Sequence, residues 1–496
     1  MMGGLDASRT AGQSWRPLML IMLVTAALAL LAMVRALDRD DSQYVAAIAL
    51  MRHGLPYRDF VYLQTPLQPL LLAPLAWIDP SLLLFAARAV NALLAGAVLA
   101  LVFRTLRERG LAMRPAIAVA ALLLATETFL YCATRARNDM LPLLLEAVAI
   151  WALLRACDAR GRRAMAFVAG LGMALAASAK LSYALPFAAT GLIVLIDRLR
   201  AEPRLDMLAA GAGALVGSLP ALVFAGLFPA EFRFAVLDYH RIAPEQWNLL
   251  NGDAIRLNPL FKLGKALTLL AQGATLVVLL VVAWRWLRHR ADWADRRQLY
   301  LDLLILAGCI AAFAPNPTLK PYMALIMLPL FLRFGLLLGG GEVARGWRWL
   351  LLPSVIAGLG CTAIELVDGA RGAGVGTPVT AARDAAALRV FLDRAAPGAM
   401  VSSLRPDVVA GAGHPLDPRF ATGPFLFRTR ALFPNVIALD TVDRLGADPP
   451  AVIVTGHERR RAAITPHGFD ALLDDWARRH GYRAHRTGRL LVWLRP

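Results

Sequence analysis

Residues 17–44 read PLMLIMLVTAALALLAMVRALDRDDSQY, and this stretch contains both features that organise the chain. Its first part, residues 17–36, is apolar and long enough for a helix to cross about 30 Å of hydrocarbon. Its second part places three aspartates, Asp38, Asp40 and Asp41, directly after that run. The stretch therefore predicts a membrane helix that carries a cluster of carboxylates to one surface of the bilayer.

Apolar runs like the first recur along the chain as far as residue 366. The 496 residues are 58% hydrophobic and only 18% charged, which is less charge than a soluble protein of this length carries. The number of the runs argues against a soluble enzyme with buried core helices. We predict an all-α polytopic membrane protein of about eleven transmembrane helices, at residues 17–36, 81–103, 115–133, 140–156, 164–179, 183–198, 207–228, 265–287, 299–315, 320–338 and 347–366.

The basic residues follow a pattern along these runs. A net charge of +18 would also suit a nucleic-acid-binding protein, but the arginines collect in short loops after every second run. Arg107, Arg155, Arg200 and Arg297 are examples. Because loops rich in Lys and Arg stay in the cytoplasm, we predict a bacterial inner-membrane protein with a cytoplasmic N-terminus. The C-terminal region is then periplasmic, and no nucleic-acid partner is expected.

The chain divides into two predicted domains. Residues 1–366 form a transmembrane domain, whose first outer loop covers residues 37–80. Residues 377–496 form a small C-terminal α/β domain outside the membrane, after a glycine-rich linker between Gly369 and Gly376. The evidence for that domain is an alternation of helical stretches near 380–396 and 467–482 with short β-like runs, at Val401, Val436–Leu439, Val452–Val454 and Leu490–Leu494.

Several familiar catalytic motifs are missing from the sequence. It has no Walker A, HExxH, GxSxG or CxxC motif, so nucleotide-driven transport and zinc hydrolysis have no support. Gly211, Gly213 and Gly217 lie inside a predicted span, where small residues serve helix packing rather than phosphate binding. The four cysteines lie in or beside spans, so they predict no disulfide framework.

The acidic cluster has two explanations from the residues alone. Asp40 or Asp41 could cap the amphipathic helix that follows, which we expect along the membrane surface. Capping explains one aspartate, however, and clustered carboxylates repel one another. The cluster is therefore also a candidate catalytic base or cation site.

A second group of polar residues puts cations on the outer side, where the loop-charge rule disfavours them. Arg135 and Arg137 precede Asp139, which begins a span and could itself be an N-cap. Lys180 lies in another outer turn, where the alternative is a snorkelling lysine at the interface. Lys320 is a further outer cation; Tyr322, two residues on, is by itself an interface aromatic. Together, outer acids and outer cations describe a site that binds a phosphate and removes a proton.

Arg88, Glu127 and Glu146 are among the charged residues that lie within predicted spans. Buried charges are costly in a membrane, so we expect these to pair with each other or to face a cavity.

The first outer loop resembles that of the GT-C glycosyltransferases. The resemblance rests on Asp40-Asp41-Ser42-Gln43-Tyr44, on residues 54–60 (GLPYRDF) and on residues 64–67 (QTPL). It continues at residues 135–139 (RARND) and at Ala179-Lys180. Within that superfamily the chain resembles the protein O-mannosyltransferases, the aminoarabinose transferases of lipid A and the RgtA/B/C/D-like membrane glycosyltransferases.

The resemblance implies a role for each of these residues. An acidic pair opens the loop, and its first residue, Asp40, with Asp41 as its neighbour, would be the carboxylate essential to catalysis. Asp139 would orient the acceptor or the sugar. The substrate-binding residues in the matching segments are Tyr44, Gln64, Arg135, Arg137 and Lys180, and Lys320 and Tyr322 join them by their position on the outer face. Many relatives have Lys-Pro-Pro-Leu where this chain has residues 64–67, so one phosphate contact becomes neutral here.

The resemblance implies an inverting glycosyltransferase that takes a sugar from a polyprenyl-phosphate donor on the outer face of the membrane. The acceptor is an envelope lipid, glycan or protein that the sequence does not identify, and membrane lipids are the other expected partners. No cofactor is required, because side chains supply the cations; a divalent metal remains compatible with the acidic cluster. The alternative is a lipid or glycolipid flippase without bond chemistry, although the sequence lacks the inverted repeats and interrupted helices typical of transporters. A non-catalytic scaffold is a second alternative.

Overall fold

The protein is seen in a computed structural model that describes residues 7–158, 162–288, 295–341, 348–371, 376–426, 445–456 and 468–496. Up to residue 371 the described chain is helical. In chain order the helices are α1 (Ala7–Val34), α2 (Arg39–Leu50), α3 (Leu67–Leu72), α4 (Leu83–Glu108), α5 (Met113–Leu124), α6 (Glu127–Ala133), α7 (Met140–Ala156), α8 (Arg162–Ala179), α9 (Ala184–Arg198), α10 (Met207–Leu227), α11 (Pro229–Arg233), α12 (Tyr239–Leu250), α13 (Pro259–Leu270), α14 (Thr275–Arg288), α15 (Arg296–Phe313), α16 (Ala324–Gly339) and α17 (Arg348–Ala370).

Fewer helices qualify as membrane spans than the sequence predicts. Within the described residues, six helices are long and apolar enough to cross a membrane, and eight do so if each of two bent pairs counts as one span. The helix α7 has only 17 residues, while α8 and α15 have 18 each and begin with two arginines. The predicted count of eleven spans is therefore not shown, although each predicted run contains helix.

The two bent pairs meet at their breaks. The helices α5 and α6 are bent by 72°, and α13 and α14 by 106°, where the sequence predicts single spans at 115–133 and 265–287. The backbone N–H of Glu127 donates to the carbonyl of Gln272 at 2.8 Å, which joins one break to the other. On α17, a Cβ at Gly358 would lie 2.1 Å from the carbonyl oxygen of Ala125, so α17 crosses at the same point.

The helices α8 and α10 pack closely through glycine. A Cβ at Gly213 would lie 2.0 Å from the carbonyl oxygen of Phe167, and one at Gly217 would lie 2.5 Å from that of Leu171. Gly170 on α8 is equally close to α10. The prediction that these glycines serve helix packing is confirmed for Gly213 and Gly217.

The arginine-rich loops come together at one end of the helical region. Asp158, after α7, pairs with Arg109 at 3.0 Å and with Arg297 at 2.7 Å. Asp197, at the end of α9, pairs with Arg296 at 3.0 Å. The loops that the sequence assigns to one side of the membrane therefore lie on one side of the molecule.

The C-terminal region contains a small mixed sheet. Its described elements are α18 (Pro378–Ala395), β1 (Val401–Ser403), α19 (Pro406–Ala412), β2 (Val452–Thr455), α20 (Phe469–Arg479), β3 (Arg483–Thr487) and β4 (Leu490–Leu494). The strand order is β1-β2-β4-β3, with β1 and β2 parallel and the other pairs antiparallel. The predicted strands at 401, 452–454 and 490–494 are confirmed, and the one at 436–439 lies outside the described residues. The sequence missed β3, because its residues are polar and mostly exposed.

This C-terminal region packs directly on α2. Val45 and Ile48 of α2 share a hydrophobic core with Leu388 of α18 and Val409 of α19, all of them almost fully buried. The helix α2 is thus covered by the C-terminal region, and its predicted position along the membrane surface stays a prediction. The helix that carries the acidic cluster is held between the membrane helices and the C-terminal region.

Candidate active site

The three aspartates at the start of α2 differ in the exposure of their side chains. Asp38 is the N-cap residue of α2, and Asp41 at N3 completes a capping box by accepting the Asp38 backbone N–H, so the capping interpretation holds in part for Asp41 and not for Asp40. The side chains of Asp38 and Asp40 remain 26% and 22% exposed, whereas that of Asp41 is 1% exposed. Two carboxylates are therefore open to a substrate and the third is not.

Asp41 is committed to contacts within the protein. Its carboxylate accepts the backbone N–H groups of Asp38, at 2.8 Å, and of Ala136. It also pairs with Arg88 of α4 at 2.6 Å, and Arg88 donates in turn to the carbonyl of Ala32 at 2.7 Å. These bonds fix the start of α2 against α1, α4 and the loop before α7.

Arg137 joins the open aspartates to a buried one. Its guanidinium donates to Asp40, to Asp38 at 3.1 Å and, through Nε, to Asp139 at 2.8 Å. The Arg137 side chain is only 6% exposed. A forked, planar guanidinium can make these bonds at once, whereas an ammonium could not.

Asp139 and Lys180 form a buried ion pair next to Arg137. Asp139 is the N-cap residue of α7, yet its side chain caps no backbone N–H and instead accepts from Arg137 and Lys180. The Lys180 side chain is 7% exposed. Asp139 therefore has the N-cap position that the capping alternative gave it, although its carboxylate forms ion pairs instead of a cap, and the snorkelling alternative for Lys180 is wrong.

A second set of charges surrounds two glutamates. Glu365 of α17 pairs with Arg35 at 2.6 Å, Arg135 at 2.9 Å and Lys320 at 2.9 Å. Glu127 of α6 is fully buried and pairs with Arg35 and, at 2.8 Å, with Lys320. Glu127 thus pairs with cations outside the set named from the sequence, and the prediction that Arg88, Glu127 and Glu146 pair with each other is wrong for it.

The ring of Tyr131 lies between the two sets. The cations of Arg135, Lys320, Arg137 and Arg35 lie 4.4, 5.1, 5.4 and 5.8 Å from its centroid. Its hydroxyl donates to Asp38. An aromatic ring attracts cations, and so Tyr131 offsets part of the repulsion among these four.

The surrounding charges keep Asp38, Asp139 and Arg137 ionised. Burial raises the pKa of Asp38, but Arg137 and Arg135 together with hydrogen bonds from Tyr131 and Arg137 hold that pKa below its usual value. Burial likewise raises the pKa of Asp139, while Lys180 and Arg137 lower it further than burial raises it. Burial lowers the pKa of Arg137, and the nearby aspartates raise it above its usual value. Asp38 and Asp139 are accordingly weak proton acceptors near neutral pH.

The three remaining predicted residues lie at the edge of this network. Tyr322 places its ring 5.6 Å from the ammonium of Lys180, so it belongs to the site. The hydroxyl of Tyr44 donates to Asn138 at 2.8 Å, one residue from Asp139. The side-chain amide of Gln64 lies 3.4 Å from the ring nitrogen of His240.

Glu146 departs from the expectation for buried charges. Its side chain is fully buried, and neither carboxylate oxygen has a hydrogen-bond partner among the described residues. Arg88, which could have balanced it, pairs with Asp41 instead.

Sequence analysis missed three members of the site, Arg35, Tyr131 and Glu365. Arg35 ends the first apolar run and Glu365 lies inside the last one, so each was a charge in an apolar stretch and could have been singled out. Tyr131 has no such signal, because an aromatic within a span is ordinary.

The chain matches a known sequence family over just over half of its length. The model of glycosyltransferase family 87 matches residues 62–314. No curated protein matches the chain by sequence.

Solved structures share its fold over nearly the whole chain. ArnT from Cupriavidus metallidurans, in a crystal structure with bound undecaprenyl phosphate, superposes with a TM-score of 0.61 at 16% identity, covering 97% of this chain and 98% of that one. The Archaeoglobus fulgidus oligosaccharyltransferase in its apo form gives a TM-score of 0.51 at 12% identity, covering 90% of this chain and 70% of the other. AglB of the same organism, in complex with an inhibitory peptide and a dolichol-phosphate, gives 0.50 at 12% identity over 97% and 75%.

Proposed function

Because the chain belongs to glycosyltransferase family 87, a GT-C family, we propose that it transfers a sugar from a polyprenyl-phosphate donor with inversion at the anomeric carbon. The observation that carries this proposal is the contact between Asp40 and Arg137. It puts a partly exposed carboxylate beside a cation that also holds the buried Asp139. A base and a phosphate-binding cation are the two parts that such a displacement needs.

The fold supports a lipid-linked donor. The protein is a multi-pass membrane protein with the fold of ArnT, which was crystallised with undecaprenyl phosphate. AglB, of the same general fold, was solved with a dolichol-phosphate. A polyprenyl tail would lie along the apolar helices while its phosphate meets the charged network at their ends.

In the proposed reaction Asp40 takes the proton from the acceptor hydroxyl as that oxygen attacks the anomeric carbon. The bond from the anomeric carbon to the phosphate oxygen breaks on the opposite side of the sugar, and the polyprenyl phosphate leaves with the electron pair. Arg137 and Lys180, with Arg135 and Lys320, stabilise the negative charge that grows on the phosphate. Asp139 holds Arg137 and Lys180 in place and orients the sugar or the acceptor.

The other predicted residues have supporting roles in this proposal. Asp41 positions the start of α2 through Arg88 rather than touching the substrate. Tyr44 positions the loop before α7 through Asn138. Gln64 and Tyr322 line the side of the site near Lys180 and contact the sugar.

The proposed reaction needs no metal ion. Arg137 already donates to both open aspartates, so a divalent cation there would have to displace a guanidinium. Within the described part of the chain, no group of three His, Cys, Asp or Glu side chains is arranged to hold a metal.

The reaction is proposed for the outer face of the bacterial inner membrane. The charged network lies among the loops that the loop-charge pattern assigns to the periplasm, and the arginine-rich loops meet elsewhere. The acceptor is an envelope lipid, glycan or protein that carries a hydroxyl group.

The test is transfer by the Asp40→Asn variant. Loss of a positioned base costs about 10²–10⁴-fold in rate, so transfer from a radiolabelled polyprenyl-phosphate sugar should become undetectable or nearly so. Asp79→Asn is the matched control, since Asp79 lies in the same loop and its exposed side chain accepts the Ser81 N–H at 2.8 Å and the Ser81 hydroxyl at 2.7 Å, roles that asparagine also fills. That control should keep wild-type turnover.

Other outcomes separate the alternatives. Activity that survives Asp40→Asn but is lost in Asp38→Asn would move the base to Asp38, and survival of both changes would end the base hypothesis. A purified protein that moves the lipid across a bilayer but never cleaves the sugar–phosphate bond would be a flippase.

A further inference from the structure

The cations of the site fall into two groups around different acids, and Arg137 of the first group also pairs with the partly exposed Asp38 and Asp40. Arg137 and Lys180 close on Asp139, whose side chain is 1% exposed. Arg35, Arg135 and Lys320 meet on Glu365, whose side chain is 30% exposed. We call this second group the Glu365 cage. Its central anion, the Glu365 carboxylate, is partly exposed, so a ligand can reach it.

The geometry of the cage suits a phosphate. Arg35 and Arg135 donate to one carboxylate oxygen of Glu365, at 2.6 and 2.9 Å, and Lys320 donates to the other at 2.9 Å. Three cationic donors therefore converge on two oxygens of a single carboxylate. Guanidinium and ammonium groups are also the side chains that bind phosphate oxygens with charge-assisted hydrogen bonds.

The cage would be left with excess positive charge if Glu365 moved away. Glu127 would still pair with Arg35 and with Lys320, at 2.8 Å. The cage would then hold three cations and one glutamate, since the other side-chain hydrogen bond of Arg135 goes to the carbonyl of Ala36, at 3.1 Å. Asp38 and Asp41 also interact with Arg135, but they are themselves paired with Arg137 and Arg88. An incoming anion would restore the balance.

The helix that carries Glu365 is loosely packed. Only 11% of the residues in the apolar part of α17 are buried within the protein. Gly358, Thr362, Glu365 and Gly369 lie on one face of the helix and meet the rest of the molecule: a Cβ at Gly369, for example, would lie 3.1 Å from that of Ala36. The ion pairs of Glu365 are thus among the contacts that hold this end of α17.

We propose that the Glu365 carboxylate occupies the place of the lipid phosphate in the donor-free protein, and that the phosphate of a polyprenyl-phosphate ligand displaces it from Arg35, Arg135 and Lys320. This inference rests on the proposed function and extends it. It assigns the phosphate to the Glu365 cage, next to Arg137, and makes Glu365 a competitor of the ligand.

The experiment measures binding of undecaprenyl phosphate to the full-length protein in detergent by microscale thermophoresis. Glu365→Gln keeps the shape of the side chain and removes its charge, so the ligand should bind about 10-fold tighter, the equivalent of one charge-assisted hydrogen bond. Glu231→Gln, at an exposed acid on α11, is the matched control and should bind like wild type. Undecaprenol, which lacks the phosphate, should bind equally to wild type and to Glu365→Gln.

Two further arms test the details. Inorganic phosphate should bind at least 100-fold more weakly than the lipid to every variant; equal affinities would mean a free-phosphate site and would overturn the assignment to a lipid. Lys320→Ala should weaken binding about 10-fold or more, because the cage loses the cation that holds the second oxygen. If Glu365→Gln does not fold, Glu365→Asp serves instead, and its shorter reach should tighten binding a few-fold.

The outcomes separate this inference from the proposed function. Lipid binding that is unchanged or weaker in a well-folded Glu365→Gln or Glu365→Asp protein would overturn the inference, because Glu365 would then order the cations rather than compete for them. Such a result would leave the transfer reaction standing if wild type binds the lipid and cleaves the donor. Absence of lipid binding in wild type and variant alike would overturn both.

Discussion

At the scale of single residues the site is built from alternating charges that satisfy one another. Arg137 is central to it, because one guanidinium reaches Asp38, Asp40 and Asp139. Through Arg137, the partly exposed Asp40 and the buried Asp139 are kept at a fixed separation. A lysine carries all its donors on one nitrogen and therefore cannot reach the same three carboxylates as the planar guanidinium fork does.

We therefore expect Arg137→Lys to be damaging although it preserves charge. Each lost charged hydrogen bond is worth about 1.5–3 kcal/mol, so turnover should fall about 10–100-fold and donor affinity should fall with it. The measurement is the initial rate of donor consumption against donor concentration, from which kcat and KM are obtained. Arg478→Lys is the control, because Arg478 is 65% exposed and pairs with Asp475 at the surface. Turnover of Arg137→Lys within two-fold of wild type would show that the fork is not used.

Which residues the sequence could predict depended on how their charge was placed. Arg137, Asp139 and Lys180 were identifiable because cations stood in loops where the topology disfavoured them, and the structure brings them together. The pair of Arg35 and Glu365 was not predictable, since 330 residues separate them and only the packing of α17 beside α1 makes them neighbours.

At the scale of elements, the position of α2 decides where the aspartates point. The sequence correctly predicted a helix after the acidic cluster and strands in the C-terminal region. It could not predict that α19 packs on α2, because periodicity shows which face of a helix is apolar and not what covers it. The bends between α5 and α6 and between α13 and α14 were missed for a similar reason, since apolar runs continue through both breaks.

Weakening the contact between α19 and α2 should therefore disturb the site from a distance. Val409 of α19 is fully buried in the core shared with α2, and Val409→Ala should lower the free energy of unfolding by about 2 kcal/mol. Val390→Ala makes the same change at a residue that is 55% exposed on α18, and it should alter neither stability nor turnover. Melting temperature in detergent and transfer rate are the two measurements. A stable Val409→Ala protein with normal turnover would show that the C-terminal region does not hold α2 in place.

At the scale of the whole molecule, charge is separated between two regions. Arg109, Asp158 and Arg297 join one group of loops, while the proposed active site joins another group that contains Asp40 and Lys180. The sequence predicted this division from loop charge alone, without any contact information. The number of spans was less predictable, because length and hydropathy do not distinguish a membrane-crossing helix from a short one such as α7 packed among its neighbours.

The orientation of the two regions in the membrane is open to a direct test. A reporter that is active only outside the cytoplasm should be active when fused after residue 370 and silent when fused near residue 160 or residue 290. The reason is that arginine-rich loops resist translocation, and the loops near 160 and 290 are those that converge on Asp158. A reporter that responds only in the cytoplasm, fused at the same three positions, is the control and should give the opposite pattern. Activity of the first reporter at 290 would put the Asp40 carboxylate on the cytoplasmic face. The donor would then have to be used on the side where it is made, and the proposal of an extracytoplasmic transferase would fail even if Asp40 proved to be the base.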